Sequence, residues 1–147
     1  LTEEQFFKSV NANFKINLIP NPSLPIPENN YSIHINGKWY QLEAKAHVKS
    51  DDPVEGLEAS ILQKYLLTPI LDIDDPLTNK RIDFVGGIRG MVELERRCEI
   101  DCQVAFALPP VSIEQLLSVA DSGQVMPPKS TWFKPKLRSG MVVRLLD

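Results

Sequence analysis

The residues best suited to chemistry crowd into one stretch, "VMPPKSTWFKPKLRSG", Val125 to Gly140. It holds four cations, three prolines and two aromatics in sixteen residues, with no acid. Between Ser122 and Leu146 lie five of the chain's sixteen Lys and Arg residues (Lys129, Lys134, Lys136, Arg138, Arg144) and none of its nineteen acids. The chain as a whole carries a net charge of −3. A local positive field is what a bound anion needs, whatever the global charge. Lys129, Ser130 and Thr131 put an ammonium and two hydroxyls in one place, a set that could grip phosphate. Lys136 and Arg138 share strand parity and would point the same way. Pro127 and Pro128 hold the approach extended, and Pro135 keeps its neighbours out of a helix. Trp132 would stack on a base or simply pack. The same residues also suit a solvated edge strand guarded by Lys and Pro. Residue types alone leave both readings open.

A second candidate is "RIDFVGGIRGMVELERR", residues 81–97. A strand would run into a Gly-rich turn that opens a helix. Helix N-termini offer free N–H groups and partial positive charge, and Gly86 and Gly87 would let backbone approach an anion. Arg89 would add a forked donor. The string is neither a Walker loop nor a dinucleotide fingerprint. A tight turn with positive φ at Gly86 or Gly87 explains the glycines equally well.

The remaining reactive residue types are sparse. His34 and His47 lack Cys or His partners at ligand spacing, so neither implies a metal site. His34 is expected to be exposed on a hairpin strand. Cys98 and Cys102 are too few for structural zinc and read as thiols in a reducing compartment. Asp72, Asp74 and Asp75 lack the spacing of a calcium loop and fit a turn. No Ser-His-Asp set can be placed, and no catalytic residue is assigned.

These residues must be positioned by a mixture of helices and strands. Thr2 and Gln5 form a T-x-x-Q capping box for a helix over about 3–12, with Phe6, Phe7, Val10 and Phe14 at helical spacing. Four prolines in 19–30 make residues 18–30 a Pro-rich loop, a candidate linker between the first helix and the main body. "YSIHINGKWYQLEAK" is a hairpin about Asn36-Gly37. Leu57, Ile61, Leu62, Tyr65 and Leu66 form a helical stripe that Pro69 ends or kinks. "IDFV" (82–85) reads as a short strand, followed by a helix with Glu93 and Arg97 at i,i+4. "QVAFAL" (103–108) is a buried strand. "SIEQLLSVADSG" is a helix capped by Ser112 and Gln115 and closed by Gly123. "STWF" and "MVVRLL" read as final strands. Strand, helix, strand, helix, strand over 82–134 predicts βαβ units. The fold class is therefore α/β (mixed α+β): a helix and hairpin, then a mixed sheet with helices packed on it.

A chain of 147 residues, 43% hydrophobic and 24% charged, fits one globular domain spanning 1–147. No apolar run reaches the roughly 20 residues that span a bilayer. No signal peptide is visible, and with two cysteines that fit a reducing compartment the cytoplasm is the expected location. The first residue is Leu rather than Met, so a longer parent protein is expected.

The strings "GKWYQL", "DIDDPLTNKRIDFVGGIRGMVELERR" and "VAFALPPVSIEQLLSVADSGQVMPPKSTWFKPKLRSG" together resemble the C-terminal third of a bacterial and archaeal family, domain of unknown function 1015. The likeness runs from about Thr2 to the end, and "MPPKSTWF…PKLRSG" is its most specific part. Part of that family is similar to free serine kinases, which use ADP and have a ParB/sulfiredoxin-like fold. The resemblance implies a nucleotide-dependent small-molecule kinase, with ADP or ATP and Mg as cofactors. An upstream domain of the same polypeptide would be the partner and would hold the catalytic residues. The family's D-G-H-H-R-like string has no counterpart here, so no catalytic residue transfers. The strap and the Gly-rich turn would supply phosphate donors. The alternative is a non-catalytic regulatory or interaction domain. Nucleic-acid binding is the least favoured, since the chain is acidic overall and shows no helix-turn-helix pattern.

Overall fold

The computed structural model describes residues 2–25 and 30–131. The fold is mixed α and β, built on a four-stranded sheet in the order β1-β3-β2-β4, with every neighbouring pair antiparallel. The strands are β1 (Phe14–Ile19), β2 (Asn30–Ile35), β3 (Lys38–Ala44) and β4 (Val104–Ala107). The helices are α1 (Glu3–Asn13), α2 (Glu58–Leu62), α3 (Thr68–Leu71), α4 (Gly90–Ile100) and α5 (Ile113–Asp121).

Local chemistry sets most of the boundaries. Thr2 and Gln5 close the expected capping box at the start of α1, satisfying two otherwise orphaned donors. Ser112 and Gln115 do the same for α5. At the far end of α5, Gly123 adopts φ +71, and the N–H groups of Gly123 and Gln124 bond back to Ala120 and Val119. Asn36 and Gly37 both take positive φ, as a two-residue hairpin turn requires. That turn fixes the register Ile35↔Lys38, His34↔Trp39 and Ile33↔Tyr40.

One face of the sheet carries Tyr31, Ile33, Ile35 and Leu42, all in the main apolar cluster. Phe6, Val10 and Phe14 reach it from α1 and β1, and Ile61, Leu62, Leu66 and Leu67 from the helical run after Leu57. Burying each such side chain contributes about 1.5–3 kcal/mol. The α1 helix is therefore part of the core, not a separate body joined by a linker. Asn36 at the hairpin tip also donates to Glu3 at 2.6 Å. The Pro-rich loop begins later than its sequence suggests, because β1 pairs with β3 as far as Ile19↔Trp39. Ser32 then ties the loop back by donating to the Ser23 carbonyl at 2.9 Å.

The run from α2 to α3 passes through a π-helical turn, Gln63–Leu67, which ends two positions before Pro69. Proline has no N–H, so the Tyr65 carbonyl loses its usual helical donor. Asn13 supplies one from its side-chain amide at 3.4 Å. The same residue accepts from the Lys45 N–H at 3.0 Å and lies 3.1 Å from His47 Nε2.

Two further expectations fail. Residues 82–85 form no strand: Phe84 is exposed, and Asp83 turns out to meet Arg97 at 2.9 Å. The anticipated βαβ units are consequently absent among the described residues, and β4 joins β2 antiparallel instead. The final strands, from Trp132 onward, lie outside the described residues.

Candidate functional site

The strap leaves α5 at the Gly123 cap. Gln124 donates to Asp52 at 3.2 Å, fixing the exit direction. The chain then folds into a four-residue turn, Pro127–Ser130. The Ser130 N–H bonds to the Pro127 carbonyl at 3.3 Å, Pro128 stands second, and Lys129 stands third at φ +61. Proline second and positive φ third are the marks of a type II turn, whose third position favours Gly or Asn. Left-handed backbone costs a residue with a Cβ about 1–2 kcal/mol. Among the described non-glycine residues, only Asn36, Asp72 and Lys129 have positive φ. Asn and Asp tolerate that region; a lysine there is the exception.

The turn presents Lys129 to solvent, and no ion pair among the described residues engages it. Thr131 beside it is exposed. Ser130 is half-buried and its hydroxyl donates to the Pro127 carbonyl at 2.6 Å. Its proton is thus spent on holding the turn. Lys136 and Arg138 lie outside the described residues.

The Gly-rich turn is built differently from its expected form. Gly86 is extended at φ −63, ψ 134, and Gly87–Arg89 form one 3-10 turn closed by Arg89 N–H to the Gly86 carbonyl at 3.0 Å. The positive φ falls at Gly90 (+69), which launches α4. A Cβ on Gly87 would meet nothing within 4 Å, so no close packing demands that glycine. Helix α4 begins without a side-chain cap. Its first turn carries Glu93, which takes two bonds from Arg96 at 2.8 and 2.7 Å and stands 3.9 Å from Arg89. The hydrogen bonds from Arg96 hold the Glu93 carboxyl below its usual range. Glu93 therefore pairs with Arg96 and Arg89 rather than with Arg97. Arg97 instead binds Asp101 at 2.7 Å and Asp83 at 2.9 Å. The turn's guanidinium thus already faces a carboxylate of its own helix, whereas Lys129 does not. Among the described residues, no hydrogen bond or ion pair joins the Gly-rich turn to the strap.

A third constellation was not anticipated. His34 is buried, with 5% exposure, correcting the expectation of an exposed hairpin residue. Its ring centroid lies 4.9 Å from that of Trp39, on the sheet face opposite the apolar cluster. Helix α4 covers this face: the Trp39 indole N–H donates to Glu95 at 2.7 Å, and the Cys98 thiol lies 4.0 Å from its acceptor, the His34 carbonyl. Cys98 and Cys102 have their sulfurs 3.2 Å apart. The Nδ1 of His34 is buried without a hydrogen-bond partner. The Asn36-Gly37 turn signals only the pairing of His34 with Trp39, not the helix that buries them.

Among the described residues, no group of three or more His, Cys, Asp and Glu converges to hold a metal, and no helix is long and apolar enough to cross a membrane. Comparison of the chain with family models, with curated proteins and with solved structures yields no match.

Proposed function

We propose that the strap around Lys129 is an anion-holding element, serving the phosphate groups of a nucleotide in a small-molecule kinase of the serine-kinase type. The observation that carries this reading is Lys129 itself: a cation without an ion pair among the described residues, held at a backbone angle that costs stability. Strained positions that persist tend to serve function, because the surrounding structure must maintain them. Phosphoryl transfer depends mainly on positioning and charge neutralisation, so an ammonium beside the Thr131 hydroxyl is suitable equipment. Lys136 and Arg138 extend the same basic run, and Arg89, Gly86 and Gly87 would contribute only if a ligand displaced Glu93 from Arg89. Magnesium would arrive with the ADP or ATP. The proton-transfer groups would come from an upstream domain of the same polypeptide.

The test is thermal unfolding with ADP, ATP plus Mg, or inorganic phosphate. Wild type should be stabilised in a dose-dependent manner by at least one of them, and Lys129→Ala should lose most of that shift. Lys129→Gly, which relieves the backbone, should raise the melting temperature without ligand yet lose the ligand-induced shift. An equal shift in wild type and Lys129→Ala would remove the strap from the site.

One observation favours a second reading, a non-catalytic interaction domain. On α5, Ile113 and Leu117 lie one turn apart at 71% and 56% exposure, and Val125 follows at 83%. An apolar stripe leading into a basic strap suits a protein contact. Ile113→Ser with Leu117→Ser should then abolish any concentration-dependent self-association seen by light scattering, while leaving ligand-induced shifts intact.

A further inference from the structure

The C-terminal end of α4 brings two thiols into contact in a setting that can respond to oxidation. Cys98 lies on the helix, and Cys102 lies just past it, after Asp101 has left helical geometry at φ −142, ψ −1. Both are half-buried, and their sulfurs are 3.2 Å apart. A disulfide is about 2.05 Å long, so closure asks for an approach of roughly 1 Å. Cys102 stands outside the rigid part of the helix and can supply that movement.

The same few residues control a neighbouring segment. The Arg97 carbonyl accepts both the Asp101 N–H at 2.9 Å and the Cys102 N–H at 3.0 Å. The Arg97 guanidinium holds Asp101 at 2.7 Å and reaches back to Asp83 at 2.9 Å. Asp83 belongs to residues 82–86, which lack helix or strand of their own. Pulling Cys102 toward Cys98 displaces the peptide units that Arg97 organises.

We propose that Cys98 and Cys102 form a reversible redox pair, closing to an intramolecular disulfide on reaction with a low-molecular-weight disulfide, and that closure loosens the hold of Arg97 on residues 82–86. The Cys102 thiolate attacks one sulfur of the small disulfide and expels one thiolate. Cys98 then gives its proton to solvent and attacks the Cys102 sulfur, expelling the second thiolate. Two protein thiols are oxidised and one small disulfide is reduced to two thiols. Burial pushes the Cys98 thiol up to about 12, which makes Cys98 the slower, resolving partner. The thiol chemistry shares no residue with the strap, and of the residues named for phosphate only Gly86 lies in the loosened segment.

The experiment uses the full chain equilibrated in glutathione buffers of graded oxidation, followed by thiol blocking and mass spectrometry. Both thiols should disappear together, with a link mapped between Cys98 and Cys102 and reversed by dithiothreitol. Cys98→Ser should leave Cys102 trapped as a mixed disulfide with glutathione. Thiols that both stay open to alkylation, or oxidation only to linked dimers, would overturn the pair. Amide hydrogen exchange at 82–86 should quicken on oxidation of wild type, a readout that needs no variant. Unchanged exchange there would overturn the coupling to Arg97.

Discussion

The two faces of β2 solve burial in opposite ways. One face sends Tyr31, Ile33 and Ile35 into an apolar cluster that α1 and the α2–α3 run complete. The other buries His34 under α4, in the company of Trp39, Glu95 and Cys98, and Ser32 beside the Ser23 carbonyl of the Pro-rich loop. The apolar face gains from area removed from water and asks little of geometry. The polar face gains only where donors meet acceptors, and at His34 Nδ1 that condition fails. Stability should therefore reside on the first face, and responsiveness on the second.

Substitutions can break this contrast. Ile33→Ala or Leu42→Ala, each fully buried, should lower the unfolding free energy by about 2–5 kcal/mol, measured by urea denaturation. Trp39→Phe keeps most of the ring but removes the bond to Glu95, and should cost about 1–2 kcal/mol. His34→Leu should stay within about 1 kcal/mol of wild type, because the imidazole brings an unpaired nitrogen into the interior. If His34→Leu were as damaging as Leu42→Ala, the division between the faces would not hold.

Acid sharpens the contrast with a smaller effect. The hydrogen bond from Arg97, followed by that from the Phe84 N–H, lowers the Asp83 carboxyl below its usual range. A folded-state pKa below the unfolded one gives stability that is present above the unfolded value and fades as pH falls through the folded value. Exchange protection of residues 82–86 should accordingly decline as acid approaches that lowered range. Arg97→Gln should flatten the dependence, whereas protection of Ile33 and Leu42 should change little over the same interval.

Legibility in the sequence followed the range of the interactions. Both capping boxes, the Asn36-Gly37 turn and the Gly123 cap depend on residues within a few positions, and each was readable. Phe14 shows how a short-range pattern misleads: it continues the helical spacing of Phe6 and Val10, yet it opens β1. Its side chain meets the same cluster either way, so the apolar pattern could not tell the two apart. The segment "IDFV" had strand-like residues, but among the described residues no strand pairs with it, and Arg97 claimed its aspartate. Lys129 was singled out by charge, but its backbone angle was hidden because nothing in Pro-Pro-Lys-Ser demands a left-handed lysine. The burial of His34 depended on a helix about sixty positions away, beyond any local pattern.

The amide of Asn13 has a further consequence, in the order of events during folding. Its bond to the Tyr65 carbonyl spans 52 positions, so the proline-disrupted turn is completed only after the chain has closed a long loop. A contact completed after the folding barrier changes the unfolding rate and leaves refolding alone. Asn13→Ala should therefore speed unfolding in stopped-flow denaturation while leaving the refolding rate close to wild type. A side chain at the end of the first helix thus acts as a latch, and its effect should appear in how long the native state lasts.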